Sequence, residues 1–270
     1  MSINFLNISR SFEVNSNIVE WDMKRAGLNI IKEYQLLPSD TIKELEKLSK
    51  SECDIKIGKM QITDKDFSKE LELKFTDVMK EFMSVNNIDD EYDVTAIKKD
   101  ACFIINKKIT VNEFGKYIKF VPKNAYHAYV YLKPYEIYFK RDGDIDIKGM
   151  SSDKNVRNRV IELHKDGILN FIEYVIEIAE TTNMDMPKIH KFLHEFVEMY
   201  KKKELEFDYY REFNVESRFR YQFLGSEIMA DYIDESMLEK TNIEYNYKTI
   251  ILPMINLILS QSSTYFSMSL

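Results

Sequence analysis

The chain has 270 residues and a formal net charge of −7, with 44% hydrophobic and 31% charged residues. That length can bury a sizeable core, as one large domain or two small ones, and with 7 glycines and 5 prolines it excludes long flexible linkers and extensive disorder. No apolar run reaches the ~20 residues that a bilayer-spanning helix needs; the stretch 250–259 comes nearest, and Pro253 and Asn256 interrupt it.

Cys53 and Cys102 are the only cysteines. Their spacing fits neither a metal-ligand pattern nor a disulfide framework, so a reducing compartment is expected. The N-terminal residues lack a basic start followed by an apolar core, which argues against a secretory signal. A cytoplasmic protein without a membrane partner is expected. The abundant Lys, Ile, Asn, Tyr and Phe are encoded by A/T-rich codons and point to a low-GC bacterium or its phage. Charge is unevenly spread: residues 98–159 carry 14 Lys/Arg against 7 Asp/Glu, leaving −14 for the remainder. Such a basic centre either holds a polyanion or forms a solvated face.

In chain order, residues 17–31 combine a short apolar stretch ending in Asp22 with a helix-like continuation, so strand then helix is expected. Ser39 or Asp40 is placed to cap a helix whose first turn carries Glu44. Over 64–85 the apolar positions Phe67, Leu71, Phe75, Val78, Met79 and Phe82 recur in three- and four-residue steps, which marks an amphipathic helix. Turn chemistry follows at 86–90. The period then changes: 94–105, 116–121, 126–132, 136–139 and 145–148 are short and rich in β-branched and aromatic residues, predicting one mainly antiparallel sheet over about 94–150. Two long helices are expected at 156–181 and 186–206, the second with Pro187 at its first position, and further helix around 218–239. The expected class is therefore α+β: a domain over 1–155 with a helical insertion at 39–85, then a mainly helical region over 156–270.

Two acids stand out. Asp22 ends the apolar stretch Ile18-Val19-Glu20-Trp21, and Asp100 lies within Thr95-Ala96-Ile97-Lys98-Lys99-Asp100-Ala101-Cys102-Phe103. An acid in a strand costs desolvation energy unless a cation or hydrogen-bond donor meets it. Paired carboxylates from separate strands would hold Mg²⁺ and, through it, substrate phosphates. The competing reading is a pair of strand-end acids ion-paired to Lys24, Lys98 or Lys99. Elsewhere, His190 and His194 are spaced i, i+4 with Glu198 a further turn along, as a zinc-binding face would be. Lys191 stands where a metalloprotease helix carries its Glu, so a surface or core role is expected and no metal. The runs 207–213 and 218–221 interleave bases with aromatics, which suits either inward packing or stacking on a single strand.

The order of these segments resembles the palm of family B DNA polymerases. Trp21-Asp22-Met23-Lys24-Arg25-Ala26-Gly27 is similar to motif A, in which an Asp precedes a tight turn into a helix. Ile97-Lys98-Lys99-Asp100-Ala101-Cys102-Phe103 is similar to motif C, with Asp100 at the second, metal-binding Asp and Lys98 where the first would stand. Ile145-Asp146-Ile147-Lys148-Gly149-Met150 resembles the short Lys-Gly strand that grips the primer terminus. The resemblance implies a palm-like antiparallel sheet and a metal-dependent nucleotidyltransferase of phage type. Asp22 and Asp100 would be both catalytic and metal-binding, with Mg²⁺ or Mn²⁺ as cofactor. Lys116, Lys119 and Lys148 would hold nucleic acid, and Lys59 the nucleotide phosphates. Two alternatives stand beside it. One is a non-catalytic, palm-derived nucleic-acid-binding protein, favoured by Lys98 and the small size. The other is an acidic phage protein that binds and inhibits a host protein.

Overall fold

The structure, a computed structural model, describes residues 4–149, 154–213, 220–223, 226–229 and 244–268. The chain opens with β1 (Phe5–Leu6), a 3₁₀ turn (Ile8–Arg10), β2 (Phe12–Glu13) and β3 (Ile18–Met23). Four helices follow: α1 (Ala26–Tyr34), α2 (Ser39–Glu46), α3 (Lys50–Thr63) and α4 (Lys65–Val85). Seven strands come next: β4 (Val94–Lys98), β5 (Ala101–Ile105), β6 (Glu113–Phe114), β7 (Ile118–Tyr126), β8 (Ala128–Leu132), β9 (Tyr135–Phe139) and β10 (Ile145–Lys148). After α5 (Lys154–His164), α6 (Ile168–Thr181) and α7 (Met186–Lys202), a 3₁₀ turn (Phe207–Tyr210) leads to the hairpin of β11 (Arg220–Phe223) and β12 (Ser226–Met229). A short α8 (Glu244–Asn246) passes through a π-helical segment (Tyr247–Ile251) into α9 (Leu252–Met268). The fold is α+β, and its described strands pair antiparallel.

The chain divides into two compact units, one of Met1–Arg10 with Ser16–Tyr126 and one of Ser11–Asn15 with His127–Leu270. The first holds a six-stranded sheet in the order β1-β4-β5-β3-β7-β6. One face of that sheet carries Met23, Cys102, Ile104, Ile118 and Phe120, packed in one core with Leu28, Ile31, Phe75, Val78 and Phe82 of α1 and α4. Phe82 stacks on Phe120 with ring centroids 4.0 Å apart. Helix α4 follows the apolar spacing of its sequence, and Asp64 caps it by accepting from the Asp66 and Phe67 amides. Helix α2 differs from expectation: Ser39 and Asp40 lie inside its first turn and Pro38 takes the cap position. The side-chain cap belongs to α3 instead, where Ser49 and Glu52 form a reciprocal capping box.

The second unit holds a four-stranded sheet in the order β10-β9-β8-β2. Val130, Ile137 and Ile147 share a core with Ile172, Val175 and Ile176 of α6 and with Ile189 and Phe196 of α7. The single sheet expected over 94–150 is thus two sheets, because β8, β9 and β10 bury their apolar faces in the core of the C-terminal helices. Correspondingly, the division falls between Tyr126 and His127.

The helix expected over 156–181 is broken. Gly167 caps α6, and a Cβ there would lie 2.1 Å from the Asp208 carbonyl oxygen, so only glycine lets the turn at 207–210 approach so closely. Pro187 occupies the second position of α7, after Met186 and the capping Asp185. Helix α7 ends at Lys202 rather than 206, with Lys203 in the left-handed conformation. Where helix was expected around 218–239, the described residues form the β11–β12 hairpin; the rest of that stretch lies outside the described residues. The hairpin's Arg-Tyr-Gln-Phe segment alternates polar with aromatic residues, a period-two pattern that suits a strand.

Candidate functional site

Strand β3 sends alternate residues to opposite faces. Trp21 and Met23 join the helix-covered core of the first unit, so Ile18, Glu20 and Asp22 lie on the other face. On one side Asp22 pairs with Ala101 of β5, and on the other with Val121 of β7. The pairing with β7 shifts between Glu20, opposite Asn124, and Trp21, opposite Pro122. Lys123 is thereby left as the extra residue of a bulge. A proline with no amide hydrogen to give the ladder favours such an interruption.

The bulge aims Lys123 at the carboxylates. Its Nζ lies 3.4 Å from Glu20 Oε1 and 3.9 Å from Asp22 Oδ2. Glu20 is buried, and its Oε2 accepts from Asn124 Nδ2 at 2.6 Å and from Tyr126 Oη at 3.2 Å. Burial raises the Asp22 carboxyl above its ordinary range; Asp100 and Glu20 push it further the same way, while Lys123 and Lys50 partly offset them. The Lys123 ammonium is held above its usual range, because Glu20 and Asp22 outweigh its desolvation.

Asp100 sits beside this group. It is in the two-residue turn between β4 and β5, not inside a strand, since Lys98 pairs with Ala101 across a hairpin. Its backbone oxygen accepts from the Met23 amide at 2.8 Å, which ties the turn to the end of β3. The two sequence-nominated acids therefore fall on adjoining segments of one sheet. A cation not considered from sequence, Lys123, lies within 4 Å of Asp22. A further basic residue, Lys50 in the first turn of α3, also acts electrostatically on Asp22.

Lys59 is exposed on α3, two residues beyond the core-facing Ile57. Lys116 is exposed after Gly115, with its Nζ over the Tyr117 ring at 5.1 Å, and Lys119 pairs with Glu113. These three belong to the first unit. Lys148 belongs to the second, opposite Glu136 in the β9–β10 ladder. His190 and His194 lie on α7, the former half-buried and the latter exposed. Among the described residues, no group of three or more His, Cys, Asp or Glu side chains is arranged to hold a metal ion. No helix among them is long and apolar enough to cross a membrane.

Sequence reasoning missed Glu20, Lys123, Asn124 and Tyr126. Glu20 had a legible signal, because it stands two residues before Asp22 and so shares its face. The others depend on the register of β7, which a single chain's sequence does not reveal.

The profile of a family described as Bacteriophage PBS1 gene 130 protein matches residues 2–260. The chain belongs to this phage protein family. Membership agrees with a phage source, one of the two that composition pointed to, and the family's description carries no activity. A search of curated proteins returned no match.

Proposed function

We propose that this phage protein binds nucleic acid without catalysing a reaction on it, and that its Asp22–Asp100 group is held by an internal cation. The observation that carries the non-catalytic part is the position of Lys123. Its ammonium is within 4 Å of both Glu20 and Asp22, beside the acids that a divalent ion would have to share. A Mg²⁺ ion demands near-octahedral oxygen ligation at about 2.0–2.1 Å. Two carboxylates with a lysine ammonium alongside suit that requirement poorly. The nucleic-acid part rests on the basic stretch 98–159, with the exposed Lys116 and the rim residue Lys119 meeting the phosphate backbone in the first unit and Lys148 meeting it in the second.

A second reading keeps metal-dependent nucleotidyl transfer, with Asp22 and Asp100 as ligands of Mg²⁺ or Mn²⁺ and Lys59 on the nucleotide phosphates. The raised Asp22 carboxyl favours it, because a carboxylate whose charge is under-compensated has room for another cation.

The test measures binding of labelled single- and double-stranded DNA and RNA at low and moderate salt, with Mg²⁺ and with EDTA. Binding should weaken steeply with salt and survive EDTA and Asp22→Asn. Neutralising Lys116, Lys119 or Lys148 should each flatten the salt slope by about one unit for every phosphate left without its lysine. Nucleotide incorporation that Asp22→Asn abolishes would replace this reading with the enzyme. Failure to bind any nucleic acid at low salt would remove both and leave the acidic protein that occupies a host partner.

A further inference from the structure

In the second unit, α6, α7 and the turn at 207–210 enclose a pocket of about 330 Å³. Phe171 and Phe196 form its floor, buried and stacked with centroids 4.2 Å apart. Tyr174, Phe192 and Tyr209 form its walls and are inclined to one another. The Tyr174 and Phe192 centroids lie 4.8 Å apart at 60°, and those of Phe196 and Tyr209 lie 5.7 Å apart at 65°. Tyr209 is fixed by Asn170 Nδ2, which donates to its hydroxyl at 2.9 Å. Tyr174 is nevertheless 47% exposed, far more than a ring serving only the core.

The charge of the lining is one-sided. Among the described residues, Glu195 is its one carboxylate, and no lysine or arginine lines the pocket. Lys191 approaches Glu195 only at 3.9 Å, with both side chains largely exposed, a surface pairing of little strength. Several ring faces at different inclinations around one carboxylate make the environment that attracts an organic cation: each face presents the negative side of its quadrupole, and the carboxylate supplies the counter-charge. A neutral apolar ligand would use the rings but gain nothing from Glu195. An anion would be repelled by both.

We propose that this pocket binds a guanidinium or ammonium group, seated among Tyr174, Phe192 and Tyr209 with Glu195 as its counter-ion. The inference is independent of the nucleic-acid reading, which concerns other residues. The test uses the full chain and N-acetyl-arginine methylamide, with the neutral isostere N-acetyl-citrulline methylamide as control, followed by calorimetry and ligand-observed NMR. The arginine compound should bind roughly tenfold more tightly. Glu195→Gln and Tyr174→Leu should each lower affinity by about threefold to tenfold, while Tyr174→Phe, which keeps the ring, should leave it nearly unchanged. Both positions are exposed, so the variants should fold; matched thermal melts verify this. An arginine-containing tripeptide binding more tightly than spermidine assigns the group to a protein side chain, and the reverse assigns it to a free polyamine. Equal affinity for arginine and citrulline compounds, no binding in the millimolar range, or indifference to both Glu195→Gln and Tyr174→Leu would overturn the proposal.

Discussion

Replacing Lys123 by methionine tests whether the ammonium neutralises the acids on the face of β3 opposite the helices. The variant keeps the length of the side chain and removes its charge. Glu20 is left at 3% side-chain exposure and Asp22 at 18%, whereas Lys123 itself is 51% exposed. Breaking a fully buried ion pair from one side costs about 3–5 kcal/mol. Solvent screening at the half-exposed ammonium, and the bonds that Asn124 and Tyr126 still give Glu20, reduce this to roughly 1–2 kcal/mol. With about 2–4 °C per kcal/mol in chains of this size, melting should fall by roughly 2–8 °C at pH 7.

The pH dependence has a definite sign. The folded Asp22 carboxyl is already raised above its ordinary 3.8, and loss of Lys123 raises it further. The variant's deficit should therefore be largest above that raised value and should fade as pH falls below it, where the folded carboxyl is protonated with or without the lysine. In the wild type, the raised Lys123 contributes stability that is fully present below the ordinary lysine value of 10.5 and is lost as pH rises through the folded one. Urea unfolding at pH 4, at pH 7 and above pH 11 samples all three regimes. Adding Glu20→Gln to Lys123→Met should recover part of the loss, since both charges are then gone. A cost below about 0.5 kcal/mol at pH 7, or one that is the same at pH 4, would refute the reasoning.

Buried His164 is pushed down to about 3 by burial and by Arg211; its stabilising share is full above the ordinary 6.5 and is lost as pH falls from there toward 3, so His164→Phe should flatten the acid side of a urea-midpoint profile. Asn86→Leu should cost about 2–4 kcal/mol, because the Asn86 amide donates to the Phe82 and Val111 carbonyls and its oxygen accepts from the Thr110 and Val111 amides; faster amide exchange at Thr110 and Val111 would accompany the loss. Gly58→Ala and Gly167→Ala should move stability in opposite directions. The first, inside α3 with nothing within 4 Å of a new Cβ, should gain roughly 0.5–1 kcal/mol; the second, facing the Asp208 carbonyl at 2.1 Å, should lose about 1–3 kcal/mol. Thermal melts of the two side by side settle the contrast.

The parts of the fold that were legible in the sequence are those fixed by local periodicity. Helix α4 could be read because its apolar steps, its Asp64 cap and the turn residues after Val85 all point the same way. The turn at Lys99-Asp100 could not be read, since Val94 to Ile105 is one run of strand-forming residues and the two polar positions in its middle serve equally as a strand interior or a hairpin turn. Likewise the split into two sheets depends on β2, a two-residue strand that pairs with β8 more than a hundred positions away. Such a pairing is decided by which hydrophobic core Phe12 joins, and nothing in its neighbours announces that choice.

The same distinction explains why the acids were found and their cation was not. Asp22 is conspicuous because it interrupts an apolar strand, and the physical question it raises, what compensates its charge, was sound. The answer lies across the sheet in Lys123, which reaches Glu20 and Asp22 from the bulge of β7 beside Pro122. A regular ladder continued from Asp22–Val121 and Trp21–Pro122 would set Lys123 directly opposite Glu20 on the same face, whereas one continued from Glu20–Asn124 would turn it to the Trp21 face. The charge balance of the site therefore depends on which register β7 keeps. If substituting Pro122 by valine restored a ladder in the register of Asp22–Val121, Lys123 would stay beside Glu20, and Lys123→Met should cost as much in that background as in the wild type; a cost that disappears there would show that the ladder follows the Glu20–Asn124 register instead, which turns Lys123 away.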